Sequence, residues 1–412
     1  MAGSCRRRTC RDWTLPGSVS LGEDAGGRAC CGVCVSTATR LSWCCHFRID
    51  RYRLSPFYLE RETDEREASI IEFKVDMMRN MKRKVKTRKN FWKGKRVLVT
   101  GGSGFIGSHL SEMLVSRGAE VTVVGKEKKG EVGFLDFSEP HLQYHQADLS
   151  ALAPRMVGLC RGKDVLFHLA ARVAGIGFNS LHPATMLRDN LAMAMTIFEA
   201  VRLAKVPRMQ FVSSACVYPR YCTLPTPETE GFLDDPEPTN YGYGWAKRMG
   251  EVLAKTYAQE YGMKISIVRP YNGYGPRDNF DPETSHVIPA LVRRVISGED
   301  PVVVWGSGTA TRSFLFVSDF ARGLMEAVER YPVPDPVNIG TEEEVSIKDL
   351  VALIIELSGS RAKIVFDKTR PDGQPRRNCN TKKAKEKIGF VARVPLREGL
   401  KRTIQWYKRS RE

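Results

Sequence analysis

Arg96-Val-Leu-Val-Thr100 runs directly into Gly101-Gly-Ser-Gly-Phe105-Ile-Gly107, and Phe105 to Arg117 then carries apolar residues at helical spacing. The first run predicts a buried strand and the last a helix. Glycines suit the turn between them because the backbone reverses sharply, passes close to a pyrophosphate and aims helix N-terminal amides at its charge. A strand, glycine turn and helix opening an alternating series point to a dinucleotide-binding α/β fold.

The alternation continues outward. Glu120 to Val124, Asp164 to Ala170, Met209 to Ser213 and Lys264 to Arg269 predict further strands, with helices at about 184–204 and 241–261 between them. This is the pattern of a Rossmann-type, doubly wound parallel sheet with a smaller C-terminal substrate-binding α/β domain. The expected boundaries are a dinucleotide-binding part over 93–268 and a mainly substrate-binding part over 269–412, interleaved with it. Where an acidic residue would meet the ribose of NAD, the chain has Gly125 and Lys126, followed by Lys128 and Lys129. Those cations favour the extra phosphate of NADP, while Glu127 keeps NAD open.

Composition sets limits on the rest. The chain has 412 residues and a formal charge of +17. Residues 1–92 hold 19 Lys and Arg against 11 Asp and Glu, so nearly half the excess lies in the first quarter. No aromatic residue interleaves the basic cluster Lys82 to Lys89, which argues for a solvated linker over a nucleic-acid arm. Seven of the 11 cysteines precede residue 46, leaving Cys160, Cys216, Cys222 and Cys379. Four scattered thiols do not form a disulfide framework and suggest a reducing compartment. No run of about eighteen apolar residues could span a bilayer, so a soluble, cytoplasmic protein is expected, with neither nucleic acid nor membrane as a partner.

Residues 1–92 are expected to be a disordered extension or to lie upstream of the natural start, with Met77, Met78 or Met81 as alternatives. Cys31-x-x-Cys34 has zinc-chelate spacing, but no second pair is placed to complete a tetrahedral site. Arg6, Arg7, Arg8 and Arg11 suggest a transit peptide, which Asp12, Glu23 and Asp24 interrupt.

Chemistry concentrates in the body. Tyr243 and Lys247, four apart on a predicted helix, share a face, and a nearby cation is expected to bring the phenol down from about 10. Ser214, just past an apolar strand, can hydrogen-bond the same carbonyl oxygen. Taken singly, each could instead be an ordinary helix-surface or turn residue, Cys216 a small buried hydrophobe and His286 a helix-start residue.

The order of the glycine turn, His168-Leu-Ala-Ala171, Ser213-Ser-Ala-Cys-Val-Tyr-Pro219, Tyr243-x-x-x-Lys247 and Arg269-Pro-Tyr-Asn-Gly-Tyr-Gly-Pro276 resembles the extended short-chain dehydrogenases/reductases over roughly 93–412. Ala170-Ala-Arg-Val-Ala-Gly-Ile176, Glu237-Pro-Thr-Asn240, Asp278 to Pro289 and Arg370-Pro-Asp-Gly-Gln-Pro-Arg376 resemble the GDP-L-fucose synthases among them.

The resemblance implies an NADPH-dependent 3,5-epimerase/4-reductase that converts GDP-4-keto-6-deoxy-D-mannose to GDP-L-fucose or a close GDP-deoxyhexose, without a metal. It implies Cys216 as base, His286 as acid, Tyr243 as proton donor at C4, and Ser214 and Lys247 as its partners. Cofactor contacts would come from Gly101, Ser103, Gly104, Phe105, Ile106, Gly107, Lys126, Asp148, Leu149, Ala170, Ala171, Asn190, Lys247, Pro270, Asn272 and His286. Arg294, Trp305, Arg312 and Arg377 would meet the nucleotide sugar, and a homodimer would form on the helices near 184–204 and 241–261. Ala174, Arg269-Pro-Tyr271 and the Tyr-Gly-Trp-Ala-Lys helix depart toward other sugar epimerases. A redox-neutral epimerase or dehydratase on another nucleotide sugar is therefore the alternative, and a cofactor-sensing protein without turnover a third.

Overall fold

The computed structural model describes residues 90–149, 154–370 and 374–411. The cysteine-rich extension, the basic cluster and part of the Arg370–Arg376 stretch lie outside the described residues. The strands are β1 (Arg96–Thr100), β2 (Glu120–Gly125), β3 (Leu142–Gln146), β4 (Val165–His168), β5 (Arg208–Val212), β6 (Lys264–Pro270), β7 (Gly273–Tyr274), β8 (Val302–Trp305), β9 (Thr311–Ser313), β10 (Leu315–Phe316), β11 (Val337–Ile339), β12 (Glu344–Ser346), β13 (Ile364–Asp367) and β14 (Arg376–Arg377). The helices are α1 (Phe105–Ser116), α2 (Pro154–Cys160), α3 (Ile176–Leu181), α4 (Pro183–Leu203), α5 (Tyr241–Tyr261), α6 (Val287–Ile296), α7 (Val317–Arg330), α8 (Ile347–Ser358) and α9 (Leu396–Arg409).

Seven parallel strands form the main sheet in the order β11-β6-β5-β4-β1-β2-β3. Its central strands are buried on both faces, so they read as continuous apolar runs. Successive side chains still point to opposite sides. Val97 and Val99 pack with Leu110, Leu114, Leu324 and Val328 of α1 and α7. Leu98 points the other way, toward Ile197, Phe198, Val201 and Ala254 of α4 and α5. A third cluster, including Ile288, Leu291, Val302, Val304, Leu350, Ile354, Leu400 and Ile404, joins α6, β8, α8 and α9.

The sheet is thus the expected doubly wound one, with differences at its margins. β3 carries Gln143 and Gln146 and forms the edge, where a half-exposed strand lacks an apolar signal. β11 spans three residues, too few to show a period, yet it closes the other edge beside β6. The packed structure also begins before the first predicted strand. Trp92 is 2% exposed, with its ring 5.8 Å from that of Phe167. No helix among the described residues is long and apolar enough to cross a membrane.

Candidate active site

Strand order reverses between β1 and β4, and in such sheets the crevice beyond the strands' carboxyl ends at that point is where ligands bind. The predicted cofactor residues line up along this edge. The glycine turn follows β1, Lys126 follows β2, and Asp148 and Leu149 follow β3. Ala170 and Ala171 follow β4, while Pro270 and Asn272 lie at the end of β6.

The turn is as tight as its glycines require: a Cβ on Gly107 would sit 2.0 Å from the Gly101 carbonyl oxygen. Gly104 caps α1 without offering any side-chain hydrogen bond to the helix end. The first-turn amides of α1 are thus left for an anion, and this cradle fits a dinucleotide pyrophosphate. Ser103, Phe105 and Ile106 complete it. Asn190 is committed to the loop after β4: it accepts from the Arg172 amide at 2.9 Å and donates to the Arg172 and Met186 carbonyls. Asn272 similarly donates to the Ser313 carbonyl at 2.8 Å. Both therefore brace the cofactor edge through contacts made within the protein.

Ser214 follows β5 and caps a short turn, with its Oγ accepting from the Cys216 amide at 3.1 Å. α5 lies directly on that turn. A Cβ on Gly244 would come within 2.5 Å of the Cys216 carbonyl oxygen and 2.6 Å of Pro236. Glycine there lets the helix approach and brings Tyr243, hydrogen-bonded to Ser214, beside Cys216. Lys247 Nζ donates to the Val212 carbonyl at 2.9 Å and lies 5.5 Å from the Tyr243 ring centre.

The electrostatics depart from expectation. Burial raises the Tyr243 phenol well above its usual range, Cys216 adds to the rise and Ser214 partly offsets it. Lys247 does not offset this rise, and its own pKa is pushed down to about 8 by burial, against an upward pull from Cys216. A raised phenol stays protonated at neutral pH, the form a proton donor needs. Beneath it, His168 is pushed down to about 3 by burial and then by Lys247, and its Nδ1 lies 2.9 Å from Thr100 Oγ1. It is a neutral structural imidazole.

The other predicted residues divide. Arg377 was expected at the substrate, and the structure places it on the Cys216 turn, where Nη2 donates to the Ala215 carbonyl and the guanidinium hydrogen-bonds Cys216. Burial lowers its pKa, but Cys216 and Tyr271 outweigh that and leave it raised. Arg312 stands in register with Arg377 across β9 and β14. Burial, then Arg377, pulls the Arg312 guanidinium down to about 10. Neither arginine forms a salt bridge among the described residues, so the pair offers unspent positive charge to an anion.

Arg294 differs: Glu299 takes it in a two-pronged ion pair, with Nε to Oε2 at 2.7 Å. Trp305 is 67% exposed, with Arg370 5.2 Å from its ring centre. His286 caps α6 without a side-chain bond. It is open to solvent, yet desolvation by the surrounding protein lowers its pKa. Its loop meets the stretch after β4: a Cβ on Gly175 would touch the Thr284 carbonyl at 3.5 Å.

One group escaped the sequence reading. Arg269 and Glu251 form a buried two-pronged ion pair, with Nη2 to Oε2 at 2.7 Å. Ser213 donates to the same carboxylate at 2.6 Å, and Arg269 reaches the Tyr218 hydroxyl at 3.0 Å. The pair ties both ends of the Cys216 turn to α5. Its only sequence signal was a charge inside an apolar strand.

A doubly wound sheet with an open glycine cradle and Ser214, Tyr243 and Lys247 converging at the crevice defines a nicotinamide-dinucleotide enzyme of the extended short-chain dehydrogenase/reductase type. More particularly, the chain belongs to the NAD dependent epimerase/dehydratase family, which it matches over residues 97–340. It is 36% identical to a probable GDP-L-fucose synthase of Oryza sativa subsp. japonica, over 76% of this chain and 92% of that one. It is 32% identical to a Streptomyces dTDP-4-dehydro-6-deoxy-D-allose reductase, over 77% and 97% respectively. The structure is similar to that of UDP-glucose 4-epimerase from Thermotoga maritima, crystallised with UDP-glucose, with a TM-score of 0.70 and 29% identity over 77% of this chain and all of that one.

Proposed function

We propose that the enzyme epimerises and reduces a 4-keto-6-deoxy nucleotide sugar, with GDP-4-keto-6-deoxy-D-mannose as substrate and GDP-L-fucose as product. The observation that carries this reading is the packing of Tyr243, Ser214 and Cys216 around one turn, with Arg377 on the sulfur. A ketone at C4 acidifies the protons at C3 and C5. At each carbon in turn Cys216 removes the proton, assisted by the adjacent guanidinium, and His286 delivers a proton to the opposite face of that same carbon. A reduced nicotinamide dinucleotide, held by its pyrophosphate in the glycine cradle, would supply the hydride for C4. Tyr243 passes its proton to the C4 oxygen, Ser214 holds that oxygen, and Lys247 orients the phenol. Arg312 binds the diphosphate, with Trp305 as a flat surface for a ring. Lys126, Lys128 and Lys129 favour NADP by charge, whereas Glu127 opposes it.

The dimer belongs to the same proposal. Met195 and Leu203 of α4 and Met249 and Tyr261 of α5 are exposed apolar side chains that support pairing through these helices.

Stopped assays with GDP-4-keto-6-deoxy-D-mannose, following loss of reduced nicotinamide absorbance and product stereochemistry, test the reaction. Wild type should oxidise one nicotinamide per sugar. Cys216→Ala should lose epimerisation by about a hundredfold or more, the range of a missing general base, and retain reduction at C4. No net oxidation, with isomerisation of another nucleotide sugar instead, would replace this reading with a redox-neutral epimerase, which the likeness to UDP-glucose 4-epimerase favours.

A further inference from the structure

We propose that Glu251 and Arg269 are positioning residues, whose buried ion pair holds Cys216 in a fixed relation to Tyr243 so that epimerisation keeps ahead of reduction. The inference rests on the reaction proposed above and goes beyond it. α5 grips the chain at the end of β5 with three side chains spaced four apart, which share one face of the helix. Tyr243 hydrogen-bonds Ser214, Lys247 Nζ donates to the Val212 carbonyl, and Glu251 accepts from Ser213 Oγ at 2.6 Å. Arg248, next to Lys247, donates from Nε to the Val217 carbonyl at 2.9 Å.

Arg269 carries this grip to the far end of the turn. Its Nε and Nη2 take the two oxygens of Glu251 at 2.8 Å and 2.7 Å. Nη1 is left to reach the Tyr218 hydroxyl at 3.0 Å and the Glu228 carbonyl at 2.7 Å. The Tyr218 hydroxyl in turn donates to Asn338 Oδ1 of β11 at 2.6 Å. One planar group thus fixes Ser213, just before Ser214, and Tyr218, just beyond Cys216. It has no second place to go, because a Cβ on Gly231 would collide with both of its terminal nitrogens.

Stability alone does not account for such a pair. The Arg269 and Glu251 side chains are 2% and 0% exposed, where the cost of taking two charges out of water offsets much of their attraction and a well-packed apolar pair would hold the fold as well. What the pair adds is direction, since a guanidinium fork holds its partners at set angles. The order of steps needs that direction. Once C4 is reduced, the protons at C3 and C5 are no longer acidic, and the sugar leaves with its original configuration at both carbons. A turn loosened at Tyr218 moves Cys216, while Tyr243 and Lys247 keep their hold on the near end and reduction continues.

Tyr218→Phe deletes only the far hydrogen bond, and Arg269→Lys keeps the charge but cannot serve Glu251 and Tyr218 together. Single-turnover assays with GDP-4-keto-6-deoxy-D-mannose and reduced nicotinamide, run well below the melting temperatures, read the stereochemistry of the product. Both variants should raise the share of C4-reduced, unepimerised sugar at least about tenfold, the scale of loss for a misplaced group. Hydrogen exchange of the full chain without sugar should quicken at the Cys216, Val217 and Tyr218 amides and stay as in wild type along α5. A role in stability alone would lower the melting temperature and the amount of active enzyme without moving the product ratio. That result, or unchanged exchange at the turn, overturns the inference. If wild type forms no C4-reduced sugar, the reaction proposed above fails together with the ordering of its steps, and the exchange result alone decides whether the pair positions the turn.

Discussion

At the scale of single residues, the protein accepts unpaired polar groups near its crevice that a purely structural core would exclude. Asp278 is 8% exposed, and its Oδ1 accepts from the Asn279 amide at 2.7 Å. Its Oδ2 has no partner among the described residues. Burial pushes this carboxyl up to about 7, with the Asn279 amide opposing the shift. The folded protein then holds a proton that the unfolded chain has already released, so stability falls as pH rises from about 4 to about 7 and levels off above. Asp278→Asn keeps the shape and removes the titration. Thermal and urea melts should show the variant more stable than wild type at pH 8 by on the order of 2 kcal/mol, with the gap closing toward pH 4. Parallel pH profiles for the two proteins would mean that the carboxyl is solvated in the folded state.

At the scale of elements, activity depends on how closely α5 lies on the turn after β5. Gly244→Ala forces the helix off the Cys216 carbonyl, because both the carbonyl oxygen and Pro236 lie closer than a Cβ tolerates. The overpacking should cost about 1–3 kcal/mol. Displacement of Tyr243 from Ser214 should lower kcat at least about tenfold even well below the melting temperature, since a misplacement of about 1 Å suffices for such losses. A folded Gly244→Ala enzyme with normal kcat would show that the approach serves packing alone. The same comparison explains what sequence could reveal. Tyr243 and Lys247 were legible because one helix fixes their spacing, and Ser214 because it ends a buried strand. Glu251 and Arg269 were not, since their contact crosses from a helix to a strand and no local period encodes it. Arg377 was legible as a cation but not in its place. It is brought to Cys216 by pairings distant in sequence, β14 beside β9 and the bridge of Thr226 with Cys379. β3 was missed for the opposite reason: its polar residues belong to an exposed edge.

At the scale of the whole molecule, every group assigned to the chemistry sits on one edge of the main sheet or on the C-terminal segments that reach it. α4 and α5 cover the sheet behind that edge, so whatever holds these two helices also holds Tyr243 and Lys247. Their outer surfaces expose Met195 at 54%, Leu203 at 47%, Tyr261 at 45% and Met249 at 37%. Isolated apolar side chains are ordinary on a surface, but four on two adjoining long helices form the kind of face a second copy covers. Such a pairing would be isologous, each copy presenting the same helices. Light scattering coupled to gel filtration should then give twice the 46.3 kDa chain mass. The double variant Met195→Asp, Met249→Asp should run at a single chain mass, because two charges at the centre of such a face would be buried unpaired. Its kcat should fall with dissociation and recover at high protein concentration, which separates loss of the helix support from damage to the site. A wild type that runs at one chain mass at all concentrations would leave α4 and α5 facing solvent, and the support for Tyr243 would have to come from the monomer alone.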